Sequence, residues 1–173
     1  MRGIVFAAGL WLVAAGSALA PGSAHAQATT ARGVYYTVRS DAFVKAPPTR
    51  VWEVLTVAKG FCALTGLIAK APGLKLASIG ETVPAALGAE TGMLVATRVE
   101  KLKELRVSFE PVGGGYLAQA WVTVAPEGKG SRLKLVERRT ADDAAAADRA
   151  AAQTAAEKPR HLAAFKAMAE GGK

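Results

Sequence analysis

Cysteine and histidine are almost missing from this chain, which has one of the first and two of the second in 173 residues. A single cysteine excludes an intramolecular disulfide, so the fold must be held by its core even in an oxidising compartment. Cys62 sits in the stretch GFCALTGL among apolar neighbours, the usual setting of a buried structural thiol. A nucleophilic thiol needs a partner that lowers its pKa, and the nearest histidine in sequence that is not in the N-terminal stretch, His161, is far along the chain. Aromatic residues make up only 6%. No pair of carboxylates, Ser-His-Asp set or metal-ligand cluster can be assembled from the spacing, so no catalytic residue, metal or cofactor is assigned. That lack favours binding over chemistry.

What is present starts with a leader. Met1-Arg2 is a short positive start, Ile4 to Ala15 is a nearly unbroken apolar run, and Ala24-His25-Ala26 is a small-x-small site. The pattern is that of a secretory signal peptide over residues 1–26, cleaved before Gln27, which predicts a periplasmic or secreted protein. The apolar run is shorter than the roughly 20 residues of a membrane span. Cleavage leaves 147 of the 173 residues, a length suited to one domain with a core of its own. The formal charge of +8 can attract anionic surfaces, so transient contact with an anionic membrane surface is expected. The basic residues are scattered and carry no recognition motif, which argues against nucleic acid as a partner.

Residues 27–33 read as a disordered tail. From Val34 to Ala46 the chain alternates, with Val34, Tyr36, Val38, Ala42 and Val44 on one parity and Thr37, Arg39, Asp41 and Lys45 on the other, the signature of a strand with one buried face. Pro47-Pro48 ends it, because proline donates no ladder hydrogen bond, and the same ring suits the first turn of a helix. Val51, Trp52, Leu55 and Ala58 follow at helical spacing. Gly60 is expected to break that helix, and Phe61 to Leu67 to form a second one closed by Gly66 or by the Pro72-Gly73 turn.

Strand patterns then return. Leu74–Ile79 and Glu81–Leu87 are weak candidates, the second interrupted by Pro84 and so an edge or a bulge. Met93 to Glu100 sets Met93, Val95 and Val99 against Arg98 and Glu100, and Leu105 to Glu110 sets Val107 and Phe109 against Arg106 and Ser108. Tyr116 to Ala125 is apolar on both parities, so either Trp121 or Val122 can face inward. Arg132 to Arg139 completes an antiparallel meander. The GKGS stretch at 128–131 lacks the upstream glycine of a phosphate loop and reads as a hairpin turn. Residues 141–156 hold ten alanines, the best helix formers, with Thr140 as the expected cap. Lys158-Pro159 is expected to kink or divide the helix, beyond which Leu162, Phe165 and Ala169 form an apolar stripe.

The stretches VKAPPTRVWEVLT, GFCALTG, LASIGE and VTVAPEGKGSRLKLVE, with the terminal LAAFKAMAE, resemble the START-like SRPBCC superfamily, in its polyketide cyclase/dehydrase flavour. The resemblance covers residues 34 to 169. It implies an α+β helix-grip fold over 34–170: a curved antiparallel sheet of about seven strands wrapped around a long C-terminal helix, with two short helices after strand one. It also implies an apolar cavity between sheet and helix, since members bind lipids, sterols, polyketides and other hydrophobic molecules.

Residues of apolar parity are the candidates to line such a cavity: Tyr36, Val38, Phe61, Leu64, Met93, Val95, Phe109, Val122, Leu133, Leu162 and Phe165. Polar candidates are Tyr116 and Glu137, the latter on the parity of Leu133 and Leu135. The leading expectation is an exported protein that holds a small hydrophobic molecule. A cyclase or dehydratase using the same cavity, and an envelope protein-interaction module without ligand, are the alternatives.

Overall fold

The computed structural model describes residues 34–114 and 118–171. The leader, the tail at 27–33 and Tyr116 lie outside the described residues. Strand β1 (Val34–Val44) buries Val38 and Val44 and exposes Thr37 and Arg39, as its alternation predicts. Pro47 then takes an extended backbone at φ −64°, ψ 156°, and Pro48 opens helix α1 (Pro48–Leu55). One dipeptide thus ends the strand and starts the helix, which buries Val51, Trp52 and Leu55.

Helix α2 (Ala58–Thr65) corrects the reading of Gly60. The first helix has already stopped at Leu55, and Gly60 lies inside the second, where a Cβ would run into the carbonyl oxygen of Val54. Glycine is needed there for close approach, not to break a helix. Gly66, at φ +79°, caps α2 in the left-handed conformation and donates its N–H to the Cys62 carbonyl.

The sheet continues with β2 (Ile68–Ala69), β3 (Thr82–Leu87), β4 (Glu90–Glu100), β5 (Glu104–Pro111), β6 (Ala118–Glu127) and β7 (Gly130–Ala141). All pairings are antiparallel in the order β1-β7-β6-β5-β4-β3-β2, so the two short helices carry the chain from one edge of the sheet to the other. The expected strand at Leu74–Ile79 does not form. Its backbone lies along the junction of α1 and α2 instead, where Leu76 N–H donates to Thr56 and the Leu74 carbonyl accepts from Ala58. The two-residue β2 is too short to leave a periodic pattern in the sequence. Pro84 sits in β3, which is covered on its outer side by only those two residues. Residues 128–131 form the β6–β7 turn, with Gly128 at φ +55° and Glu127 paired with Gly130.

The reading of β4 also needs correction. Leu94 and Ala96 are buried against Phe109 and Val107, and Met93 and Val95 lie on the outer face, half-buried. The cause is a register shift between Ala96 and Arg98. Val99 does pack on the core opposite Leu105, but the bulge changes parity, so counting back from Val99 by twos arrives on the wrong face. On β6 the inward residues are Ala118, Ala120, Val122 and Val124, which leaves Trp121 half-buried on the outer face.

Helix α3 (Ala144–Glu170) runs 27 residues without division. Its cap is Asp143, whose carboxylate accepts the Ala146 N–H at 2.7 Å; Thr140 is still in β7, paired with Tyr35. Pro159 is tolerated because it and Ala155, whose carbonyl loses its helical donor, both face water. The buried stripe is Ala147, Lys158, Phe165 and Ala169.

Candidate ligand-binding site

The concave side of the sheet is mostly filled. Leu55, Leu64, Leu133, Leu135, Val122 and Phe165 form a continuous core beneath α1, α2 and the C-terminal part of α3. Free space remains in a niche between the end of α2 and the inner face of β3 to β7. Phe61 and Thr65 of α2, Leu87, Leu94, Val107 and Phe109 form much of its wall, with Leu67, Ala118, Gln119 and Ala120 around them. The volume open to the centre of a water molecule is about 10 Å³, enough for roughly one water.

At one end of the niche the wall turns ionic. Glu137, only 2% exposed, accepts from Arg139 Nη2 at 2.8 Å through Oε1 and forms an ion pair with Lys158 Nζ through Oε2. Arg139 Nη2 also donates to the Thr65 carbonyl at 3.1 Å, which fastens the end of α2 to β7. The Thr65 hydroxyl donates to the Phe61 carbonyl at 2.9 Å. Lys158 reaches Glu137 from α3 and is 3% exposed; burial pushes its pKa down, against the opposing pull of Glu137. Lys158 and Glu137 are tolerated out of water because each meets an opposite charge, and loss of Glu137 would strand Lys158.

Two neighbours are less suited to chemistry. Burial pushes the Cys62 thiol up to about 12, so the thiolate is absent at neutral pH. His161 lies with its ring against Gly66, and burial, then the cations Lys158 and Arg160, push its pKa down. Among the described residues no group of histidine, cysteine, aspartate and glutamate side chains is placed to hold a metal ion.

Of the residues singled out from the sequence, the structure brings Phe61, Phe109 and Glu137 into the niche. Val38 is buried beside it, paired with Glu137, and Tyr36 is half-buried opposite Arg139. Leu64, Val122, Leu133 and Phe165 belong to the filled core, and Leu162 is half-buried along an outer groove with Ala42 and Pro159. Met93 and Val95 face away. Lys158, Arg139, Thr65 and Leu94 were not singled out. Arg139 could have been found, since it continues the parity of Leu133, Leu135 and Glu137 by two. Lys158 could have been found too, since it lies seven residues before Phe165 on the stripe that the helix buries.

No protein-family model matches the sequence, and no curated protein matches it. Solved structures do match. The Bacillus halodurans protein BH1534 is 14% identical with a TM-score of 0.61, over 78% of this chain and 96% of that one. The Chromobacterium violaceum protein CV1439 is 16% identical with a TM-score of 0.60, over 78% and 97%. Norcoclaurine synthase from Thalictrum flavum, solved in complex with dopamine and hydroxybenzaldehyde, is 15% identical with a TM-score of 0.55, over 83% and 91%. With its seven antiparallel strands, two short helices after the first and a long C-terminal helix, the chain has the helix-grip fold.

Proposed function

We propose that this chain is an exported binding protein that shelters a small, largely apolar molecule in the niche between α2 and the sheet. The observation that carries the proposal is an apolar wall, built by Phe61, Leu94, Val107 and Phe109, ending at a buried ionic cluster. A binding site uses a few fixed polar groups in an apolar setting to orient its ligand, and this cluster borders the free space. The norcoclaurine synthase complex supports small-molecule occupancy of this fold. Export is supported by the leader pattern of residues 1–26.

The niche as it stands holds about one water, so binding requires it to widen. Leu67 and Leu87 are the half-exposed apolar side chains of its wall, and their separation would admit a ligand without disturbing the buried core behind them. The free energy would come from removing the ligand's apolar surface from water.

Native mass spectrometry of the protein purified from its producing cells, followed by organic extraction, tests the reading. A stoichiometric hydrophobic adduct, released on unfolding, is expected. A clean apo mass, with no thermal shift from a panel of lipids, sterols and aromatic polyketides, would overturn it.

A further inference from the structure

We infer that two copies of this chain pair through β1, edge to edge and antiparallel about Ser40, so that one continuous sheet runs through a dimer.

The two edges of the sheet differ. At one, β2 has only two residues and the next strand in, β3, carries Pro84. Shortness and proline both keep an edge from pairing. At the other, β1 pairs with β7 over eleven residues with no bulge, proline or glycine. The C-terminal end of β1 shows which way its backbone groups point. The Val44 carbonyl oxygen lies where a Cβ on Gly130 of β7 would stand, and the Ala46 carbonyl accepts the Ser131 hydroxyl at 2.8 Å. The Lys45 N–H turns the other way and donates to Glu170 at 2.7 Å. Even-numbered residues of β1 therefore bond to β7, and the N–H and C=O groups of Thr37, Arg39, Asp41 and Phe43 point out of the edge. An open groove between Ala42 of β1 and Pro159, Leu162 and Lys166 of α3 leaves room beside that edge on the concave face.

Charge selects the register. Outward groups must meet outward groups, so odd residues face odd residues across the junction. Centring the pair on Arg39 sets two guanidiniums opposite each other, and centring it on Asp41 does the same with two carboxylates. Like charges directly opposite destabilise a sheet. Centring it on Ser40 sets Arg39 opposite Asp41 twice, once on each side of the two-fold axis. Registers further along separate the two. Arg39 is exposed and has no ion pair among the described residues, and Asp41, also exposed, meets Arg132 through one oxygen at 3.1 Å. The same register sets Thr37 opposite Phe43, and it stops short of Lys45, whose N–H Glu170 already holds.

A second observation falls on the same centre. The Ser40 Oγ is shut off from solvent and has no hydrogen-bond partner among the described residues. Because the backbone of Ser40 bonds to β7, the two serines would form a non-hydrogen-bonded pair, with Cα atoms roughly 4.5 Å apart and side chains at their closest. One hydroxyl can then donate to the other.

Sedimentation equilibrium at concentrations up to roughly 100 µM tests the pairing, since one strand edge makes an interface of the weak class. A dimer is expected. Arg39→Asp alone and Asp41→Arg alone should each dimerise at least about tenfold more weakly, because each sets like charges opposite. An equimolar mixture of the two variants should associate again, since each then meets the other's opposite charge. Ser40→Cys, oxidised in air, should run as a covalent dimer on a non-reducing gel, and Ala42→Cys, held away from its own counterpart along the strand, should not. Cys62 is buried and does not interfere. Circular dichroism checks that each variant is folded. A wild-type monomer throughout the range would overturn the pairing and leave the edge to an extended segment of another protein or to water. A dimer that survives both charge reversals would overturn the role of β1. Cross-linking through Ala42→Cys and not through Ser40→Cys would overturn the register.

Discussion

Strand β7 presents two different interiors along one parity. Leu133 and Leu135 are as thoroughly buried as Glu137, at 0%, 1% and 2% exposure. Leu135 stands between Ser40 and Val122 in the sheet register, and Glu137 two residues on stands between Val38 and Ala120. The cross-strand neighbours of Glu137 are thus apolar and offer it nothing. Its partners are Arg139, next along its own face, and Lys158 from α3. One end of the strand is held by apolar packing, which any well-shaped hydrophobic set can supply. The other end is held by charges from separate elements, so it ties β7, α2 and α3 to one another and borders the niche.

The sharpest way to break the contrast is to remove one ion. Glu137→Gln should lower unfolding stability by about 3–5 kcal/mol, because it takes from Lys158 and Arg139 the carboxylate they share. Adding Lys158→Met should recover part of that loss, since it removes the more deeply buried of the two stranded cations. Urea unfolding of the two singles and the double measures the coupling. Additive effects would show that Lys158 and Glu137 do not form the buried pair.

At the apolar end, Leu135→Ala should cost about 2–5 kcal/mol through lost burial and the cavity left behind. No second polar substitution should rescue it. Urea unfolding of the variant reads the loss, and a loss under about 1 kcal/mol would mean that packing around Leu135 does not hold this end of β7.

Much of this architecture was legible because local signals agreed. The alternation of β1, the Pro47-Pro48 junction and the C-terminal apolar stripe each follow from a periodicity or a ring constraint acting within a few residues. The errors arose where that locality fails. At Gly60 the reason for glycine is the carbonyl of Val54 in the preceding helix, a contact that no window on the second helix displays. At Met93 and Val95 one bulge after Ala96 reverses the face, and a bulge leaves no periodic trace. Lys158 is a different failure. Its place on the stripe was readable, but a lysine there argues for exposure until its partner Glu137, 21 positions earlier, is known to lie beneath it. The candidate site was therefore half visible: Glu137 and Arg139 by parity, the pairing of Lys158 with Glu137 only through tertiary packing.

The gentlest probe of the charged end is pH, through His161, which packs on the cap of α2 beside that cluster. Burial comes first among the causes that lower its pKa, followed by Lys158 and Arg160, with Glu157 and Glu137 opposing. The folded value thus lies below the ordinary 6.5, while the unfolded chain keeps that value. The unfolded state takes up its proton first as pH falls, so the stability tied to neutral His161 is full above about 6.5 and is lost as pH drops through the folded value. His161→Gln should flatten this part of the stability profile and leave the region above 7 little changed. Urea midpoints at intervals between pH 7.5 and 5 would show it. A profile that keeps its slope in the variant would assign the proton uptake to another group and remove His161 from the account of how α2 and α3 are held together at the niche.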